Sequence, residues 1–302
     1  MVNTVAGAVP AEKLGITSIH EHLIVKPGEL PRHRDYTLGS IDKSSREAES
    51  FRDAGGSTIV DLAPLNFGRD PDALAEISER TGVNVVFVTG FHKDEFIPRW
   101  FFELSDDEIA DVVAGEISDG VGERGARPGA VKVGTSYREI LPSERRAIGI
   151  CASVARDMHL PMITHADKGT MALEQLELIA AVGMDLAHVC VSHVDLTFDV
   201  EYLKRVCDTG ASLSFDHVGR SLDDGDARCT EMLAELVRAG YGDRVCLAGD
   251  MGKGSYLPAY GGTPGLAYIL CELRDRLAER IGKDAFLHMV ADNPQRVLDM
   301  PA

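Results

Sequence analysis

Short apolar runs and longer amphipathic stretches alternate from one end of the chain to the other. The apolar runs are ITSIH (16–20), STIVDLA (57–63), VNVVFVTG (83–90), AVKVGT (130–135), LPMITHA (160–166), LAHVCVSH (186–193), ASLSFDH (211–217) and RVCLAGD (244–250). Near-continuous Val, Ile and Leu predict parallel strands buried on both faces. The stretches between them, 40–55, 70–82, 105–120, 143–159, 171–183, 199–210 and 228–240, repeat their apolar residues at helical spacing. Several close on a glycine where a helix C-cap belongs, at Gly55, Gly82, Gly183, Gly210 and Gly240. Two further helical stretches follow, 266–282 and 284–300. Eight strands alternating with helices predict a single α/β domain over 1–302, a (β/α)₈ (TIM) barrel. An open doubly wound sheet gives the same alternation. Two long loops follow strands, FHKDEFIPRWFFEL (91–104) and GSYLPAYGGTPG (254–265), and barrel loops of that kind usually carry function.

Composition narrows the partners. Of 302 residues, 44% are hydrophobic and 26% charged, enough for a large core and a soluble surface. A net charge of −17, with no basic stripe, argues against nucleic acid. No stretch is apolar enough to span a bilayer, so no membrane partner is expected. The six cysteines are scattered without a C-x-x-C pair, and the start lacks the basic and apolar regions of a secretory signal; a cytoplasmic setting is expected.

Polar residues at the strand ends carry the chemistry. The first run finishes in His20-Glu21-His22, where period two points both imidazoles one way and Glu21 the other. Lys132 interrupts the fourth run; His165, His193 and Asp250 close the fifth, sixth and eighth. Any one of them alone is most simply a satisfied polar residue, a buried lysine pair or a turn cap. Together they sit on the face where barrel active sites lie. Burying so many polar groups costs several kcal/mol unless something satisfies them all. A metal centre would do so.

On these residues the chain resembles the phosphotriesterase family of the amidohydrolase superfamily. The matching stretches are IHEHL (19–23), VKVGTS (131–136), ITHAD (163–167), VSHVD (191–195), SFDH (214–217), GD (249–250) and the closing DNPQRVL (292–298). The resemblance implies two divalent metal ions, zinc with manganese or cobalt as alternatives. It assigns one to His20, His22 and Asp250, and the other to His165 and His193. Lys132 would bridge them as a carbamate (N6-carboxylysine): an ammonium has no lone pair to ligate, whereas a carbamate is a two-oxygen anion. Metals of this kind lower the pKa of water toward ~7. The implied activity is a hydrolase in which metal-activated hydroxide attacks a carboxylic ester or lactone. Asp250 would accept the proton, with Asp195 and His217 passing it to solvent. A homodimer is compatible with the resemblance.

Substrate contacts are read from position. Arg220 and Lys253 follow the seventh and eighth strands and would favour a small anionic substrate. Phe67, Phe91, His92, Tyr137 and Tyr256 also lie just past strand ends and are candidate pocket walls. His159, His188 and His288 read as structural, and His33 has no evident role. Lactonases that resemble this family often carry arginine where this chain has His217, which argues against an acyl-homoserine lactone. Phosphoester or phosphotriester hydrolysis, and amide or carbamate hydrolysis, use the same machinery. A non-catalytic ligand-binding barrel would be marked by a missing ligand, and none is missing.

Overall fold

The apolar runs become strands whose alternate residues face the barrel interior and the surrounding helices. A computed structural model describes residues 1–28, 33–220 and 224–301. A short antiparallel hairpin, β1 (Val2–Thr4) and β2 (Gly7–Val9), precedes the barrel. The barrel strands are β3 (Thr17–Glu21), β4 (Thr58–Asp61), β5 (Asn84–Gly90), β6 (Ala130–Thr135), β7 (Met162–Ala166), β8 (Val189–Ser192), β9 (Ser212–Phe215) and β10 (Val245–Leu247). Each pairs in parallel with the next in chain order, from β3 to β10. At the seam between the first and last, the Asp250 N–H donates to the His20 carbonyl at 3.0 Å. The sheet is therefore a nearly closed barrel, not the open alternative.

Helices α1 (Ile41–Asp53), α2 (Pro71–Thr81), α3 (Asp106–Asp119), α4 (Pro142–Asp157), α5 (Ala172–Ala181), α6 (Val200–Asp208), α7 (Asp224–Arg238) and α8 (Arg274–Ile281) surround it. Local chemistry sets their ends. Asp70 accepts from the Ala73 N–H to start α2, and Gly82, in the left-handed region at φ 74°, ends it. Ser105 and Glu108 form a reciprocal capping box on α3.

Period two separates two cores. Ala130 of β6, Val86 and Val88 of β5, Ile163 of β7, Cys190 of β8 and Cys246 of β10 pack inside the barrel. Val131, Val133, Val85, Phe87, Met162 and Leu213 pack outward against the helices. The inner apolar layer fills the N-terminal half of the barrel, and polar residues take over toward the C-terminal ends. The unforeseen hairpin helps to close the floor. Its Val2 joins the inner core with Leu14, Val297 and Leu298, and the Val5 N–H donates to the Val85 carbonyl at 2.9 Å. The closing DNPQRVL motif has a structural use: the Asn293 amide donates to the carbonyls of Gly242 (3.0 Å) and Val245 (2.7 Å), tying the last helix to β10.

Candidate metal centre

Strict alternation would place Ile19 and His20 on opposite faces, yet Ile19 joins the inner core while His20 reaches the cavity. A register shift between Ser18 and Glu21 in the β3–β4 pairing accounts for this. Glu21 turns away as expected. Its carboxylate accepts from Ser18 Oγ (2.7 Å) and from the N–H groups of Gly249 (2.9 Å) and Met251 (2.8 Å), binding β3 to the loop after β10. Asp61, at the end of β4, accepts from the N–H groups of Leu23, Ile24 and Ala63 and holds the chain that carries His22.

All six predicted ligands line one cavity of ≈ 610 Å³ at the C-terminal ends of the strands. His20, His22 and Asp250 bring one donor atom each within 4.8 Å of one another. Asp250 Oδ1 lies 3.4 Å from His20 Nε2 and 3.1 Å from His22 Nε2. Beside them, His165 Nδ1 and His193 Nε2 face each other at 2.7 Å. Lys132 Nζ donates to the Leu62 carbonyl at 2.8 Å on the cavity wall. Two of these residues adopt left-handed backbone, His193 at φ 66° and Asp250 at φ 42°, which turns their side chains inward past the strand ends.

The donor set suits divalent ions that take nitrogen and oxygen ligands. Among the described residues, the buried ring nitrogens His22 Nδ1, His92 Nδ1 and His165 Nε2 find no hydrogen-bond partner. Burial pushes His20 down to about 3 and His165 well below the usual histidine range, so both imidazoles are neutral with a lone pair to offer. Burial also lowers Lys132, to about 8. Burial acts to raise Asp250, but Arg220, His20 and His22 together outweigh it and keep this carboxylate ionised.

A carboxylate not singled out from the sequence, Asp216, lies just past the end of β9. It accepts from His20 Nδ1 (2.8 Å) through Oδ2, and from His193 Nδ1 (2.9 Å) and the His193 N–H (3.0 Å) through Oδ1. Asp195 and His217 are neighbours. The Asp195 carboxylate accepts from the His217 N–H at 2.9 Å and stands 3.3 Å from its Nδ1. Burial alone would lower His217, but Asp195, helped by Asp216, lifts it to about 9.

Of the predicted substrate contacts, Arg220, Lys253 and Phe67 line the cavity, together with His92 and Tyr256. Arg220 is already engaged: its guanidinium pairs with Asp250 Oδ2, and its Nε donates to the Gly249 carbonyl at 2.9 Å. Lys253 stands over the rings of Tyr36 (4.8 Å) and Tyr256 (5.4 Å). Two expectations need correction. Phe91 is fully buried on the helix side, 5.0 Å from Phe101 and 5.8 Å from Trp100. Period two from the inward Val86 and Val88 puts it there. Tyr137 is exposed and belongs to a separate depression with Arg138 and Tyr202, because the chain turns back between Ser136 and Glu139. His33 lines the cavity, although nothing in the sequence marked it.

Comparison with known proteins follows the same lines. The model of the phosphotriesterase family matches residues 1–298. A phospho-furanose lactonase of Mycoplasmopsis synoviae is 33% identical over 319 residues, covering 98% of this chain and 90% of that protein. The crystal structure of a lactonase from Listeria monocytogenes superposes with a TM-score of 0.95 at 28% identity, covering 100% of this chain and 99% of that one. The phosphotriesterase homology protein of Escherichia coli, solved with phosphate in its active site, gives a TM-score of 0.91 at 28% identity, covering 95% of this chain and 99% of that one.

Proposed function

The chain belongs to the phosphotriesterase family and is a hydrolase, and on that premise we propose that it opens a small lactone bearing an anionic group, a phosphate above all. One observation carries the reading: the cavity that gathers the His and Asp clusters also presents Arg220 and Lys253, on a chain whose net charge is −17. Cations at the cavity of so acidic a molecule select for an anionic ligand. The name of the Mycoplasmopsis relative, a phospho-furanose lactonase, supports the same class.

In this reading His20, His22 and Asp250 would hold one divalent ion, and His165 and His193 would hold a second. Zinc is the first choice, with manganese or cobalt as alternatives. Such ions supply a Lewis acid and acidify water toward ~7. Lys132, held at about 8 by burial, has a neutral fraction that can add CO₂ at Nζ and release a proton, giving the carbamate we assign as the bridge. Asp250 Oδ1 faces His20 and His22, which leaves Oδ2 to take up a proton. That oxygen is gripped by Arg220, so an anionic substrate competing for the guanidinium would free it. A donor atom of His217 lies within 4.8 Å of the Asp250 carboxylate, and buried Asp195 holds that imidazole; we assign the pair to relaying the proton, His217 releasing its own as it takes one up. Phe67, packed edge-on against His92 at 4.9 Å, shields one wall from water. The unpaired cysteines fit a reducing cytoplasm.

The phosphate in the Escherichia coli relative favours phosphoester hydrolysis as the second reading. A substrate panel with metal-reconstituted protein separates the two: a neutral γ-lactone, the same lactone phosphorylated, an aryl ester, a phosphomonoester and a phosphotriester. The phosphorylated lactone should give the highest kcat/KM, opening its ring without releasing phosphate. A higher value for either phosphoester would install the second reading.

A further inference from the structure

Asp216 touches imidazoles from three different strand ends. Its side chain is fully buried; Oδ2 meets His20 Nδ1 at 2.8 Å, and Oδ1 meets His193 Nδ1 at 2.9 Å, the His193 N–H at 3.0 Å and His217 Nδ1 at 3.2 Å. We propose that Asp216 is a positioning residue that fixes the tautomers of His20 and His193 together, and so prepares one ligand of each metal ion. The proposal rests on the dinuclear reading above.

An ionised carboxylate only accepts hydrogen bonds. Every nitrogen facing Asp216 must therefore carry its proton there. A neutral imidazole protonated at Nδ1 has its lone pair on Nε2. For His20 that atom points to Asp250 Oδ1 at 3.4 Å, and for His193 it points to His165 Nδ1 at 2.7 Å. These are the atoms at which the two ions would be held. Ser192 Oγ, 2.9 Å from His20 Nδ1, both donates and accepts, so it cannot set the tautomer alone. A carboxylate that merely satisfied three buried N–H groups would look the same in one structure, but asparagine tells the two roles apart.

Asp216→Asn keeps the shape and exchanges one acceptor oxygen for an NH₂ donor. The His193 backbone N–H cannot change its character, so the amide oxygen must stay at the Oδ1 position. The NH₂ then faces His20 Nδ1, donor against donor. Moving the proton to Nε2 relieves the clash and removes His20 as a ligand, while His193 keeps its acceptor. The damage should fall on one ion only.

The test is competition of zinc against a chelator for wild type, Asp216→Asn and Asp195→Asn, with anomalous scattering at the zinc edge to locate each ion. Asp195 is equally buried and accepts from His217, which is not one of the proposed ligands, so its variant serves as control. For Asp216→Asn, the ion at His20, His22 and Asp250 should weaken by about 10–100-fold, the usual size of such losses. The ion at His165 and His193, and both ions of Asp195→Asn, should hold wild-type affinity. Unchanged affinities in Asp216→Asn, equal weakening of both ions, or loss of the His165 ion alone would each overturn the proposal. A wild type that binds fewer than two ions would instead sink the dinuclear reading. Should Asp216→Asn fail to fold, ¹⁵N-histidine NMR of metal-free wild type reads the same point. His20 and His193 must both be protonated at Nδ1, and either one protonated at Nε2 refutes the assignment.

Discussion

Asp250 gives its two oxygens to different neighbours, Oδ1 to His20 and His22 and Oδ2 to Arg220. Replacing it with asparagine keeps a ligating oxygen but abolishes proton uptake. Asp250→Asn should therefore depress kcat on every substrate by about 10²–10⁴-fold, the usual cost of losing a general base. Arg220→Ala removes a charged contact worth about 1.5–3 kcal/mol. It should raise KM for a phosphorylated lactone by roughly tenfold or more and change a neutral lactone far less. Equal slowing of both substrates would mean that Arg220 serves only to hold Asp250, the partner it has in this structure. Residues of this kind were legible because a His, Lys or Asp interrupting a strand end stands out against Val and Ile. Asp216 was not, since one acid beside His217 in SFDH reads like any strand terminus. Its role appears only when His20, 196 residues away, folds against it. Phe91 was readable in principle, by counting in twos from Val88, but position after a strand says nothing about which face a residue takes.

The strands were the most legible elements. The run 130–135 matches β6 residue for residue, and the other seven overlap their strands with ends that differ by a few residues. The segment 186–188 is a 3₁₀ turn leading into β8, since Asp185 accepts from the Ala187 N–H and caps it before the strand begins. The β1–β2 hairpin went unseen because three-residue strands such as Val2–Thr4 are too short to show a period. Strand ends also depend on single backbone positions. Gly90, the last residue of β5, sits at φ 91°, and a Cβ there would meet the Lys132 carbonyl oxygen at 2.2 Å. Gly90→Ala thus combines left-handed strain, about 1–3 kcal/mol, with a backbone clash that must part β5 from β6. Thermal unfolding should show a Tm lowered by several degrees, with weaker metal retention as Lys132 shifts. An unchanged Tm would show that β5 and β6 separate freely, and that the close approach contributes little to holding Lys132 in place.

At the scale of the whole molecule, the alternation of strands and helices made the barrel readable, but not its closure. That depends on an Asp250 N–H reaching His20, a contact between opposite ends of the chain that no local pattern encodes. The same seam places Asp250 beside His20 of β3 and His22 just past its end, so closing the barrel and bringing these three side chains together are one event. Metal binding should then stabilise the folded barrel as a whole, because the unfolded chain scatters His20, His22, Lys132, His165, His193 and Asp250 over 231 positions. At a free ion concentration a thousandfold above Kd, each site contributes about 4 kcal/mol. For a chain of this size, each kcal/mol is roughly 2 °C or more in Tm. Stripping both ions with a chelator should therefore lower Tm by roughly 10 °C or more, and adding back zinc should restore it. Elemental analysis of the restored protein should find two ions per chain. If Tm ignores the chelator and the restored protein holds no metal, the gathered His and Asp side chains serve the fold and not a metal centre. Restoration at one ion per chain would leave a mononuclear site, and a carbamate on Lys132 would have no second ion to bridge.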